Sequence, residues 1–147
     1  MKIALIGGTG FVGSAVLAEA LQRGHRVTAL ARDTAKLAAR EGLSVVQADV
    51  LDSAQVAAAV EGHEAVIDAY NPGWHAPDLY DSFLKGTRAI VAGVKRSGVK
   101  RLLIVGGAGS LYVAPGVQLV DTNSFKSHVP PNIVPGAQAA RDALNEI

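Results

Sequence analysis

The sequence GGTGFVG at residues 7–13 constrains the fold of this chain more than any other feature. It directly follows a short apolar run, Ile3–Ile6, and directly precedes a segment of helical spacing from about Phe11 to Arg23. Its glycines fit the spacing G-x-G-x-x-G, which lets a tight strand-to-helix turn adopt positive φ and lets a diphosphate approach the backbone. We expect free backbone N–H groups of residues 10–12 to point at the phosphates, with the positive end of the helix dipole behind them. We therefore predict a dinucleotide-binding βα unit; a plain tight turn is the alternative interpretation.

The rest of the chain repeats this alternation of strand and helix. Unbroken apolar runs, typical of strands buried on both faces of a parallel sheet, follow at Val27–Leu30, Val45–Val46, Ala65–Ile67 and Leu102–Val105. Segments of helical spacing lie between and after them at Asp33–Arg40, from Asp52 or Ser53 to Gly62, at Asp78–Ser97, and from near Pro135 to the terminus. Because crossovers between parallel strands are right-handed, this order predicts an α/β, Rossmann-like, doubly wound parallel sheet. We expect the strand order 3-2-1-4-5, with helices on both faces.

Composition excludes several classes of function. The 14 Lys and Arg residues nearly balance the 13 Asp and Glu residues, which argues against direct contact with nucleic acid. No apolar stretch is long enough for a membrane span, and no signal peptide precedes the first strand, so we expect a cytoplasmic protein. The absence of cysteine excludes cysteine nucleophiles and thiolate metal sites, and no histidines have metal-ligand spacing such as HExxH.

The end of the second strand selects the cofactor. An NAD site usually has Asp or Glu there, about 20 residues after the glycines, to bind the ribose hydroxyls. Here the strand ends on neutral residues and Arg32 follows, with Lys36 a few residues later. A guanidinium pairs well with a 2′-phosphate, so this pattern favours NADP(H) over NAD(H). In the alternative interpretation Asp33 caps a helix while Arg32 and Lys36 are solvated.

The ends of the third and fourth strands face the same predicted crevice. Asp49 can accept a hydrogen bond from an adenine amino group with Val50 beside the ring, or it can simply turn the chain. Ala69 is small enough for the cofactor ribose to pass, and the backbone of Tyr70 is expected near the nicotinamide. Asp68 belongs either to this site or to the buried end of the strand, satisfied by helix N–H groups.

Taken together, these motifs resemble the atypical short-chain dehydrogenase/reductase superfamily in its NmrA-like, NAD(P)H-binding branch, with small flavin and biliverdin reductases as the most similar members. The matching pieces are GGTGFVG at 7–13, ARD at 31–33, ADV at 48–50, GHEAVI at 62–67 and LLIVGGAGSL at 102–111. The resemblance implies one NAD(P)-binding domain over residues 1–147.

The resemblance also implies which residues contact each part of the cofactor. The diphosphate is contacted by Gly7, Thr9, Gly10, Phe11 and Val12, and the 2′-phosphate by Arg32 and Lys36. The adenine is contacted by Asp49 and Val50, and the nicotinamide side by Ala69, Tyr70, Gly106 and Gly107.

The chain departs from this superfamily in two ways. Its typical members pair a catalytic tyrosine with a lysine four residues later, and none of Tyr70, Tyr80 and Tyr112 has that lysine. Relatives also usually continue beyond the last helix through a further strand and a substrate-covering segment. Three explanations for the missing substrate-covering segment stay open. The chain covers its substrate with very few residues, a partner subunit of a homo-oligomer supplies the covering residues, or the chain is a fragment of a longer protein.

Candidate chemistry on the acceptor side lies in residues 106–134, which show little periodicity, and in the loop before the fourth helix. Ser110 resembles the active-site serine position of the superfamily and is the catalytic candidate, although a turn hydroxyl bonded to its own backbone is the competing interpretation. Tyr112 is expected to pack its loop, and His128 is expected at the surface. Trp74 can cover a planar ligand by stacking, or it can pack in a core or interface.

The sequence therefore supports two functions. The first is an NADPH-dependent oxidoreductase that passes hydride to a flavin-like, quinone-like or other conjugated acceptor, which needs no dedicated tyrosine proton donor. The alternative is an NADP(H)-binding redox sensor without turnover. A sugar-nucleotide epimerase or dehydratase is less favoured, since it requires the tyrosine–lysine pair and a larger C-terminal region.

Overall fold

A computed structural model describes residues 1–147, which form two compact units. The first unit comprises residues 1–70 and 89–105, and the second comprises residues 71–88 and 106–147. That the whole chain acts as one domain stays a prediction.

The first unit contains the predicted parallel sheet. Its strands are β1 (Lys2–Ile6), β2 (Arg26–Ala31), β3 (Leu43–Gln47), β4 (Ala65–Asp68) and β5 (Leu102–Ile104). They are hydrogen-bonded in the order β3-β2-β1-β4-β5, which confirms the predicted topology. The register places Ile6, the last residue of β1, between Leu30 and Asp68. Since all the strands are parallel, their carboxyl ends meet at one edge of the sheet, where the predicted cofactor residues follow them.

Helices α1 (Phe11–Gln22), α2 (Ser53–Val60) and α3 (Leu79–Ser97) begin and end close to the predicted boundaries. Gly24, at φ +79°, follows the end of α1 in the left-handed conformation that glycine adopts readily. The Asp52 carboxylate caps α2 by accepting from Ala54 and Gln55. No helix of the chain is long and apolar enough to cross a bilayer.

The predicted helix Asp33–Arg40 is wrong. Only a single 3₁₀ turn forms, at Thr34–Lys36, and Leu37 returns to an extended conformation. Leu37 is half-buried and packs against the core of the first unit, while every other residue of 32–42 is exposed, so the segment has no continuous apolar face of the kind a helix needs. A helix this short is marginal without tertiary packing, whatever the propensity of its alanines.

The second unit contains more helices and strands than the weak periodicity of its sequence predicts. After β5 come a 3₁₀ turn at Ala108–Ser110, a hairpin of β6 (Tyr112–Ala114) and β7 (Val117–Gln118), and a 3₁₀ turn at Leu119–Asp121. Helices α4 (Asn123–His128) and α5 (Val134–Glu146) complete the chain. The apolar core of this unit includes a cluster of Phe83 and Leu84 of α3 with Ala139 and Ala143 of α5.

Candidate cofactor site

The turn between β1 and α1 requires glycine at two positions. Gly7 has φ +79°, and a Cβ on it would lie 2.4 Å from the carbonyl oxygen of Ala69. A Cβ on Gly13 would lie only 1.9 Å from the carbonyl oxygen of Gly7. The Gly10 N–H closes the turn by donating to that same Gly7 oxygen at 3.0 Å, so it is engaged within the turn and is not the free donor that we expected. The turn therefore packs against α1 and against the chain leaving β4 more closely than a side chain at either position would allow.

The start of α1 presents unpaired backbone donors to solvent. The first N–H groups of a helix have no intrahelical partner, and the N-cap residue, Gly10, supplies no side-chain hydrogen bond to them. Residues 9–12 are all exposed, and the large apolar side chain of Phe11 is 96% exposed. With the positive end of the helix dipole behind them, these N–H groups form an open cradle for anionic oxygens. This geometry fits the linked phosphates of a dinucleotide.

Arg32 supplies a positive charge that no other residue of the chain neutralises. β2 ends at the neutral Ala31, and the exposed guanidinium of Arg32 makes no ion pair. The neighbouring Asp33 carboxylate accepts from the Ala35 N–H at 3.1 Å and so has the capping role of the alternative interpretation. Lys36 ends the same 3₁₀ turn and is exposed. Directly after β2 the site therefore has a cation. It has no Asp or Glu that is free to bind the ribose hydroxyls of NAD(H).

The end of β3 lies beside the end of β2. The Gln47 side-chain amide donates to the Arg32 carbonyl oxygen at 3.3 Å. Asp49 Oδ1 accepts from the Leu51 N–H at 2.9 Å, so this carboxylate does turn the chain. Val50 is half-buried and packs against the core of the first unit. The adenine contacts of Asp49 and Val50 stay predictions.

Asp68 is a buried carboxylate at the end of β4. It is 2% exposed, and its Oδ1 accepts from the Tyr70 N–H at 2.8 Å. Burial raises the pKa of Asp68 from 3.8 to about 6, while the bond from Tyr70 opposes the shift. Its backbone oxygen also accepts from the Val105 N–H, next to the end of β5. The carboxylate therefore accepts its hydrogen bond from its own turn and not from the helix N–H groups of the alternative interpretation.

The glycines after β5 differ from those after β1. A Cβ on Gly106 or Gly107 would meet no atom within 4 Å, and neither residue has positive φ. The Ser110 hydroxyl donates to the Gly107 carbonyl oxygen at 2.9 Å, as the turn interpretation expected. The Ser110 carbonyl oxygen accepts from the buried side chain of Gln118 at 2.8 Å. Because its proton is engaged, this hydroxyl is left to accept, rather than donate, a hydrogen bond from a ligand.

Two further residues considered on the acceptor side lie at the surface. Tyr112 is 69% exposed and therefore does not pack its loop as we expected. His128 is exposed at the end of α4, and its Nδ1 lies 2.8 Å from the Ser124 carbonyl oxygen.

Sequence reasoning missed a polar network within the second unit. The Arg141 guanidinium, only 16% exposed, binds Asp121 at 2.6 Å, the adjacent Asp142, and Gln118 at 3.3 Å. The Tyr80 hydroxyl donates to the other Asp142 oxygen at 2.6 Å. That bond lowers the pKa of Asp142 and raises the pKa of Tyr80. Apart from the adjacent pair Arg141 and Asp142, the partners are 20 to 62 residues apart in sequence, so no local pattern predicts the network.

The comparison with known families agrees with this geometry. A family described as NAD(P)H-binding matches residues 7–146, which is nearly the whole chain. The chain belongs to the NAD(P)H-binding family. This membership confirms the resemblance to reductases of the short-chain dehydrogenase/reductase type, and it establishes a Rossmann-like nicotinamide-nucleotide domain.

Several known proteins are similar to this chain over the same region. YwnB of Bacillus subtilis, whose function is uncharacterised, is 35% identical over 133 residues, covering 88% of this chain and 60% of YwnB. A solved structure of a candidate epimerase from Bacteroides thetaiotaomicron has a TM-score of 0.85 at 45% identity, covering 99% of this chain and 63% of that one. A candidate NADH-flavin reductase from Streptococcus pneumoniae has a TM-score of 0.75 at 30% identity, covering 99% and 64%. The chain therefore spans about three-fifths of the length of these relatives.

Proposed function

We propose that this chain is an NADPH-dependent oxidoreductase that passes hydride to a flavin-like, quinone-like or other conjugated acceptor. The observation that carries the proposal is the turn in which Gly7 and Gly13 bring the start of α1 into position as a diphosphate cradle. The similarity to a candidate NADH-flavin reductase supports the class of acceptor.

The residues of the first unit have distinct roles in this proposal. The N–H groups at the start of α1 bind the diphosphate, and Arg32 with Lys36 binds the 2′-phosphate. Asp49 and Val50 contact the adenine, while Ala69 and the Tyr70 backbone orient the nicotinamide. Reduced nicotinamide supplies the hydride, so these residues bind and orient.

The residues after β5 complete the proposed set. A Cβ on Gly106 or Gly107 would meet open space, and in this proposal the nicotinamide side of the cofactor occupies that space. Ser110 accepts a hydrogen bond from the acceptor, since its own proton is donated to Gly107. Without a tyrosine–lysine pair the chain suits acceptors that take hydride at a conjugated position.

Two observations favour the alternative, an NADP(H)-binding redox sensor. The chain has no tyrosine–lysine pair, and the hydroxyl of its candidate serine, Ser110, already donates to a backbone oxygen. The loss of NADPH absorbance with a panel of flavins and quinones distinguishes the two functions. The oxidoreductase oxidises NADPH well above the protein-free rate. A sensor binds NADPH calorimetrically but gives a flat trace with every acceptor.

Arg32→Ala tests the choice of cofactor. Loss of a charge-assisted contact to the 2′-phosphate should weaken NADP(H) binding by about tenfold and leave NAD(H) binding unchanged. Titration calorimetry with both nucleotides measures the effect. Arg40→Ala is the matched control, because Arg40 is also exposed in the segment after β2 but is not assigned to the site. Equal losses for both nucleotides would remove the 2′-phosphate assignment.

A further inference from the structure

The second unit contains a cleft that the proposed function does not use. Its volume is about 470 Å³, within the range of small-molecule sites, and its walls include Trp74, Tyr80, Asn132 and Pro135. These residues come from the loop before α3, from α3 itself, from the segment between α4 and α5, and from the first turn of α5. The cleft therefore lies entirely within the second unit.

The indole of Trp74 is held in place but is not covered. A Cβ on Gly136 would lie 2.9 Å from Trp74 Cζ3, so the ring packs directly against the backbone of α5. The Asn132 side chain donates to the Trp74 carbonyl oxygen at 3.3 Å. The ring nevertheless stays 46% exposed. A large apolar ring that is fixed and half-open is a preformed stacking surface for another planar ring.

Tyr80, a second aromatic residue in the lining, is fixed as well. The Tyr80 hydroxyl donates to Asp142, which is itself bound to the mostly buried Arg141. This anchoring leaves the tyrosine ring as a fixed wall of the cleft, so a ligand does not have to order it on binding.

The charges of the cleft select against anions. Asp78 and Asp81 are both exposed in its lining, and no lysine or arginine lines it. The start of α3 offers a partial positive charge, but Asp81 lies in its first turn and offsets it. A phosphate or carboxylate entering the cleft therefore meets net negative charge.

We infer that this cleft binds a planar aromatic molecule that carries no negative charge, stacked on Trp74. The inference concerns binding by the second unit and does not rest on the proposed function, because it involves no pyridine nucleotide.

Riboflavin and FMN provide a matched pair of probes, since they share one ring system and differ only by a phosphate. The full chain is titrated into each flavin at about pH 8, and flavin fluorescence and its anisotropy are followed without nucleotide. Riboflavin is expected to bind about fivefold more tightly than FMN at low salt, with the ratio falling as salt screens the carboxylates. Equal or tighter binding of FMN, or no binding of either flavin, overturns the inference.

Variants assign the effect to the cleft. Trp74→Ala should weaken riboflavin binding by about tenfold, as expected for a lost stacking partner. Tyr112→Ala is the control, because this tyrosine is exposed but does not line the cleft. The nearly isosteric double substitution Asp78→Asn and Asp81→Asn should bring the riboflavin-to-FMN ratio close to one, and it keeps the test valid if Trp74→Ala does not fold. An unchanged ratio in that variant, or unchanged riboflavin binding by folded Trp74→Ala, contradicts the inference.

Discussion

The two glycine-rich turns of this chain have similar sequences and opposite physical requirements. In the turn after β1, a methyl group on Gly7 or Gly13 would collide with backbone atoms at 2.4 Å or 1.9 Å. In the turn after β5, a methyl group on Gly106 or Gly107 would meet nothing within 4 Å. Glycine in the first turn is therefore required by the fold itself. Glycine in the second turn is not required in this way, and the open space beside it is compatible with the cofactor contact that we propose.

Substitution in the turn after β1 should have the largest effect on the stability of the fold. Gly13→Ala is expected to lower the free energy of unfolding by about 3 kcal/mol, because the collision with Gly7 outweighs the gain of about 1 kcal/mol in helix propensity. Urea denaturation measures it. Gly10→Ala is the control, since its Cβ would meet the Gly7 oxygen at an ordinary 3.4 Å. Equal urea midpoints for the two variants would contradict the close-approach argument.

Asp68 extends the comparison of the two turns to the effect of pH. It is the last residue of β4, and its backbone oxygen accepts from the Val105 N–H, just before the turn that follows β5. Its pKa is raised from 3.8 to about 6, so the folded protein binds the proton more tightly than the unfolded chain does. Stability from this group is therefore fully present below about pH 4 and is lost as pH rises through about 6. At about 1.4 kcal/mol per pKa unit, the full shift corresponds to at most about 3 kcal/mol.

Asp68→Asn removes this titration. The difference in free energy of unfolding between Asp68→Asn and the parent chain should therefore increase in favour of the variant by about 2 kcal/mol from pH 4 to pH 7. Denaturant titrations at a series of pH values measure this difference, and any constant cost of the amide cancels from it. A difference that is independent of pH would show that Asp68 titrates normally.

Substitution in the second turn should have the smallest effect on stability, with the opposite sign. Gly107→Ala is expected to raise the free energy of unfolding by about 0.5 kcal/mol, because the residue has φ −142° and alanine reduces the entropy of the unfolded chain. The same variant should bind NADPH more weakly if the turn contacts the cofactor as proposed. A stability loss above about 1 kcal/mol would show that the two turns are alike after all.

The sequence predicted features that depend on residues close together in the chain, and it missed features that depend on residues far apart. The sheet order and the cradle after β1 follow from local patterns, namely short apolar runs and glycines at fixed spacing. The helix predicted from Asp33 failed because helix propensity was not supported by burial. The Arg141 network could not be predicted at all, since Tyr80 reaches Asp142 across 62 residues of sequence. Similarly, no local pattern indicated that Tyr112 would be exposed.

The exposure of Phe11 has a thermodynamic consequence. Its ring is 96% exposed at the mouth of the phosphate cradle, so the free protein keeps a large apolar surface hydrated there. Any molecule that settles over the ring releases that water, and its binding enthalpy must become more negative as temperature rises. The temperature slope of the heat of association therefore reports whether a nucleotide covers this side chain or only touches the backbone behind it.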